Sequence, residues 1–134
     1  MSKSTLKQAE RFHGHLGPWL ILGLRAGRNA RRRLGGSPFE LVALVECPAK
    51  PPVRCFIDGV QLGSGCTMGK GNIEHRVKPR VCRVVFRHQL TEKQSTLQVR
   101  KDIFQMLLMA RGSKISSVAR QVYRMPLAQL FATD

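Results

Sequence analysis

Two short stretches carry the residue types that do chemistry. The first is Phe12-His13-Gly14-His15-Leu16-Gly17-Pro18, with two imidazoles on either side of a glycine. The second runs from Cys55 to Asn72 and contains Cys55, Asp58, Gln61, Cys66, Thr67 and Lys70, with Gly63, Gly65, Gly69 and Gly71 among them. Glycines allow a ligand to approach the main chain closely. Imidazole and thiolate together suit Zn²⁺ or another borderline metal with water in an open position. The same pair also serves as base and nucleophile. Lys70 would favour a Cys66 thiolate or bind an anion, with the loop's N–H groups forming a nest around it. The expectation is a site at which His15, helped by His13, meets Cys66. A plainer reading has both histidines hydrogen-bonding a turn and Cys66 as a small buried residue. The loop lacks the Gly-x-x-x-x-Gly-Lys-[Ser/Thr] order of a P-loop, so nucleotide hydrolysis is disfavoured.

The intervening segments would position these residues. Residues 4–12 read as a short helix with Ser4 as its cap. Pro18 suits the first turn of a second helix, running to about Leu34, with Leu20 and Leu24 inward and Arg25, Arg28 and Arg32 outward. Gly23 and Gly27, four apart, predict a groove where another backbone packs closely. Phe39 to Cys47 is apolar on both faces, as in a buried strand. Val53 to about Leu62 reads as a helix leading into the glycine loop, on which Asp58 and Gln61 share a face. Strands are predicted over 73–77, over 81–88 and over 96–101. In the second of these Cys82, Val84, Phe86 and His88 alternate with Val81, Arg83, Val85 and Arg87. Cys47 and Cys82 read as core residues; Cys55 reads as core or as a second sulfur near the site. The tail from about 103 to 132 reads as helical, with Ser116 or Ser117 as a cap. The order helix–strand–helix–three strands, then helices, argues for an α+β fold with a mixed sheet.

The length of 134 residues predicts one domain, 1–134, with a core over about 4–102. Its 23 Lys+Arg against 8 Asp+Glu give a net charge of +15. Such a charge favours anionic partners: a small anionic substrate or cofactor, nucleic acid, or an acidic protein face. No RNP-like or helix-turn-helix signature accompanies the arginines. Met1 to Lys7 has no apolar h-region, and Leu16 to Leu24 is about half of a membrane span, so a cytoplasmic protein with no membrane partner is expected. The four cysteines lack close CxxC pairs, and reduced thiols are expected.

Phe12-His-Gly-His-Leu-Gly-Pro-Trp19, followed by Cys55-x-x-Asp58-x-x-Gln61-x-x-x-Gly65-Cys66-Thr67-x-Gly69-Lys70-Gly71-Asn72, resembles the FmdE family, named for one of the subunits of formylmethanofuran dehydrogenase. The resemblance covers roughly residues 6–102. It implies an α+β core like the catalytic domain of glyceraldehyde-phosphate dehydrogenase, often dimeric, with a cleft that often binds metal. Its candidate residues are His13, His15, Cys55, Asp58, Gln61, Cys66, Thr67 and Lys70. Two departures stand out. The family usually reads His-Gly-His-Leu-Cys-Pro-Gly, whereas this chain has Gly17 and Trp19, which removes one thiol and adds an aromatic wall. The cysteine-rich zinc ribbon that many members carry after the core is also missing from this sequence.

Taken together, these readings predict a protein acting in or beside one-carbon metabolism. His13, His15 and Cys66 would hold a zinc-like ion, with His15 and Cys66 the expected catalytic pair. An anionic ligand would lie near Lys70 and Trp19, and the protein would be a homodimer or part of a larger enzyme complex. The alternatives are a metal-free Cys–His enzyme and a non-catalytic basic subunit docking on an acidic protein or nucleic acid.

Overall fold

A polar N-terminal helix, α1 (Lys3–His13), leads through a glycine turn into α2 (Pro18–Leu34), which is buried almost all round along its first half. The computed structural model describes residues 3–133; Met1, Ser2 and Asp134 of the expected 1–134 domain lie outside the described residues. After α2 come β1 (Leu41–Cys47), a 3-10 turn at Val53–Cys55, α3 (Phe56–Ser64), β2 (Ile73–Val77), β3 (Arg83–His88) and β4 (Gln94–Val99). The tail adds α4 (Lys101–Leu108), α5 (Lys114–Arg124), α6 (Leu127–Leu130) and β5 (Phe131–Thr133). The fold is α+β, with one mixed sheet in the order β2-β1-β3-β4-β5 among the described residues. In it β1 and β2 run parallel, the other neighbours antiparallel, and α3 lies in the connection between β1 and β2.

Alternation divides the sheet into two faces. In β1 the residues Leu41, Ala43, Val45 and Cys47 are fully buried, and across the β1–β3 ladder Ala43 opposes Phe86 and Val45 opposes Val84. Cys82, Val84, Phe86 and His88 are buried as their spacing predicts, while Arg83, Val85 and Arg87 face the more accessible side. Cys47 and Cys82 are core residues, and both thiols are free.

Three expectations are corrected. The sheet has five strands where four were expected, because Phe131–Thr133, read as helical tail, pairs with β4 through Leu97–Thr133 and Val99–Phe131. The fifth helix begins at Lys114, so Ser116 and Ser117 lie within it, and the Ser117 hydroxyl donates to the Lys114 carbonyl. Arg25 does not face solvent. Its Nη1 donates to the carbonyls of Val122, Tyr123 and Met125 at 2.9, 3.0 and 2.7 Å, tying the end of α5 to α2. Positive charge near a helix C-terminus is favourable, and desolvation lowers the guanidinium pKa.

The groove predicted from Gly23 and Gly27 is present, and α3 fills it with glycines of its own. A Cβ on Gly23 would collide with the Phe56 carbonyl, and one on Gly27 would lie 2.6 Å from the Ser64 nitrogen. Reciprocally, a Cβ on Gly59 would strike the Leu20 carbonyl and one on Gly63 the Leu24 carbonyl. Helix propensity alone would make Gly59→Ala stabilising by about 0.8–1.0 kcal/mol. Overpacking against backbone costs about 1–3 kcal/mol and wins. Gly59→Ala is therefore expected to lower the urea midpoint, whereas Gly69→Ala, which meets nothing within 4 Å, leaves it nearly unchanged. Equal midpoints for the two variants would contradict the close helix contact.

Candidate functional site

The start of α2 and the start of α3 lie at the same end of the helix pair, and the chemistry gathers there. Gly14, with φ +109°, turns the chain out of α1. His13 Nδ1 and Asp58 Oδ2 are 2.7 Å apart, His13 mostly shielded and Asp58 half-exposed. The His15 ring lies 5.0 Å from that of His13, tilted by 31°. Cys55, which precedes α3, is half-buried beside them.

Two cavities share His13 and Cys55 as walls. The smaller, about 70 Å³, is bounded by His15, Trp19, Leu20 and Pro52, and by Leu107, Ala110 and Ile115 of the tail. The larger, about 330 Å³, is bounded by Arg54, Asp58, Gln61, Met68, Ile73 and His75. His75 and Arg54 were not named from the sequence. His75 had a signal: period-2 alternation in β2 places it on the same face as Ile73. Its Nε2 lies 3.4 Å from the Cys47 Sγ and 3.1 Å from the Cys47 carbonyl.

The structure brings together His13, His15, Cys55, Asp58, Gln61 and Trp19 around these cavities. Cys66, Thr67 and Lys70 line neither cavity, although Met68 of the same loop borders the larger one. The nine residues of α3 put about 13 Å of helix between Cys55 and the loop, and Cys66 is fully buried there, lining neither cavity. The glycine loop is held by its own polar groups. Asn72 accepts from the Thr67 N–H at 2.9 Å and donates to the carbonyls of Pro38 and Leu41. Gln61 accepts from the Met68 N–H, and the Thr67 hydroxyl from the Lys70 N–H. The Lys70 ammonium sits 5.6 Å from the centre of the Phe39 ring. Among the described residues no three His, Cys, Asp or Glu side chains are grouped as a metal would need.

Burial raises the Cys66 thiol pKa, outweighing Ser64, Lys70 and Arg31, which pull it down. That is the reverse of what a resting thiolate nucleophile requires. Burial and then the Asp58 carboxylate raise Cys55.

The chain matches the family described as "FmdE, Molybdenum formylmethanofuran dehydrogenase operon" over residues 12–132. The chain belongs to the FmdE family. The match extends through α4, α5 and α6 and into β5, so the tail belongs to the FmdE region. The chain is also 35% identical over 75 residues to a "Probable S-adenosyl-L-methionine-binding protein" of Archaeoglobus fulgidus. That alignment covers 51% of this chain and 19% of the relative, so the FmdE chain spans a small part of that protein. No helix among the described residues is long and apolar enough to cross a membrane.

The raised thiols of this FmdE protein give its stability a pH dependence of definite sign. Burial pushes Cys47 up to about 11, whereas an unfolded thiol titrates near about 8.5. Between those values the native state binds more protons, so the stabilisation is complete below the unfolded value and declines as pH rises. Urea midpoints should fall from about pH 8 to about pH 10, and more shallowly in Cys47→Ala than in wild type. Parallel slopes would show that the Cys47 thiol does not contribute.

Proposed function

We propose that this FmdE protein acts in or beside one-carbon metabolism of the formylmethanofuran type, holding an anionic substrate or cofactor in the cleft formed by the two cavities. The observation that carries this reading is the 2.7 Å pairing of Asp58, in the larger cavity, with His13 on the wall the cavities share. A carboxylate on Nδ1 fixes the imidazole's orientation and tautomer, leaving Nε2 for a ligand, a proton or a metal. Arg54 and His75 border the larger cavity and suit a carboxylate or phosphate. The N-terminal end of α3, where N–H groups and the helix dipole favour anions, borders it.

A zinc-like ion is part of the proposal. The donors near the cleft are two imidazoles with Cys55 as the neighbouring sulfur. Since no three such side chains are grouped among the described residues, an ion there would take its remaining ligands from the bound substrate or water. His13 and His15 would hold the ion. Cys66, the sulfur expected from the motif, is separated from them by the length of α3. When bound, such an ion would supply Lewis acidity to an oxygen of the ligand. Asp58 orients His13, Arg54 neutralises the ligand's charge, and the tail residues Leu107 and Ile115 exclude water from one side.

Elemental analysis of untagged, reduced protein tests the ion. Wild type and Cys66→Ala should carry stoichiometric metal, and His13→Ala and His15→Ala should lose it. Metal-free wild type removes the ion from the proposal. A γ-linked triglutamate, titrated at low salt, tests the anionic ligand. Arg54→Ala should weaken its binding about tenfold, which is about 1.4 kcal/mol. The net charge of +15 also supports a second reading, a basic accessory subunit on an acidic protein or nucleic acid. Its binding would fall steeply with salt and would not depend on His13.

A further inference from the structure

The indole N–H of Trp19 has no hydrogen-bond acceptor among the described residues, although Trp19 is 2% exposed. A buried donor without an acceptor is disfavoured, and natural cores leave few of them. Trp19 lines the smaller cavity, where its neighbours are His15, Leu20, Leu107, Ala110 and Ile115. The ring itself is held edge-on by Phe104, with centroids 5.0 Å apart. The indole is therefore fixed by packing, while its polar atom lacks a partner.

The chemistry of this cavity is narrow. No described Asp, Glu, Lys or Arg lines it, so with no ion on His13 and His15 a charged group entering it would be desolvated without a counter-charge. Its volume of about 70 Å³ exceeds what one water needs, about 10–15 Å³. It is about half of the roughly 150 Å³ that holds a benzene ring. A planar group of about four heavy atoms fits that range.

We propose that this cavity takes a small uncharged carbonyl group at one end of the ligand, an amide, ester or ketone, whose oxygen accepts from the Trp19 indole N–H. The shared walls at His13 and Cys55 let the ligand's charged remainder lie in the larger cavity beside Arg54. In that respect the inference rests on the cleft reading above and deepens it by naming the group. Specificity then comes from the tail as well as the core, because Leu107 of α4, Ala110 of the α4–α5 connection and Ile115 of α5 close the cavity.

Trp19 is the chain's one tryptophan, so its indole gives a single ¹H–¹⁵N resonance. The full chain, freed of metal with a chelator, is titrated separately with acetone, acetate and isobutene, which share a planar four-heavy-atom shape. Acetone should shift the indole resonance downfield and saturably; isobutene, lacking the oxygen, and acetate, carrying charge, should not. Ala110→Phe, which fills the cavity, should abolish the acetone response while the dispersion of the spectrum is kept. An acetone response no larger than that of isobutene, an unsaturable one, or an equal response to acetate overturns the proposal. The wild-type titration decides this even where Ala110→Phe fails to fold. If acetone fails but triglutamate still binds through Arg54, only the carbonyl pocket falls. If both fail, the cleft reading falls with it.

Discussion

The contact between α2 and α3 sets the geometry of everything functional in this protein. Gly23 and Gly27 meet Gly59 and Gly63 at backbone distance, with no side chain between the helices. Because the contacts advance in the same direction along both helices, the two run roughly parallel and share an N-terminal end. A side chain at the start of one helix can then reach a side chain at the start of the other. His13, just before α2, thereby meets Asp58 in the first turn of α3 across 45 residues of sequence. The cost is conformational, since four glycines in two helices disfavour each helix in isolation. Packing must supply the difference, and the fully buried Leu20, Ile21, Leu22, Phe56 and Val60 provide it.

Several of the chain's few acids are committed to internal pairs. Asp58 holds a histidine, and Glu40 stands 3.5 Å from the buried His88. Glu46, 8% exposed, accepts from Arg83 at 2.7 Å and faces Lys78 at 3.3 Å. The Arg83 hydrogen bond holds the Glu46 carboxyl below the usual carboxylate range against the opposing effect of burial. These acids serve internal pairs. With 8 acids against 23 Lys and Arg, the excess of cations is set by composition and cannot be neutralised within the chain. Arg25 shows that a cation can be turned inward to cap a helix. Arg54, at the rim of the larger cavity, donates from Nη1 to the Ala49 carbonyl at 3.0 Å and keeps further donors of its guanidinium at the cavity.

Much of this was legible in the sequence where periodicity and physical cause coincide. The alternation of 81–88 places Val84 and Phe86 inward, and the four-residue spacing of Gly23 and Gly27 marks the helix contact, because each follows from local geometry alone. The short β5 was not legible: three residues carry too little pattern to separate a strand from a helix end, and pairing with β4 decides it. The site divides in the same way. His13, His15, Cys55, Asp58 and Gln61 were each named from motif and residue type. Their grouping depends on the register of α2 against α3, which no spacing along the chain reveals. Cys66 illustrates the converse. It sits in the most suggestive stretch of the sequence, yet a full helix separates it from the histidines, and its glycine loop is occupied with satisfying its own backbone.

Gly17 connects the site's chemistry to its sterics. Its φ of −123° is ordinary extended backbone, so a side chain there would not be strained by conformation. A Cβ would, however, stand 3.2 Å from His15 Nε2, closer than most such contacts. A cysteine at this position and the present His15 ring therefore compete for the same space, and one must yield by a few tenths of an ångström. With glycine, His15 keeps its ring against the start of α2, beside His13 and over the small cavity. The local donor set shifts from thiol towards imidazole, and the cavity that Trp19 lines is also lined by a group that can both give and accept a proton. The two departures of this chain, Gly17 and Trp19, then act together: the first settles where the imidazole rests, and the second sets an indole donor in the cavity it borders.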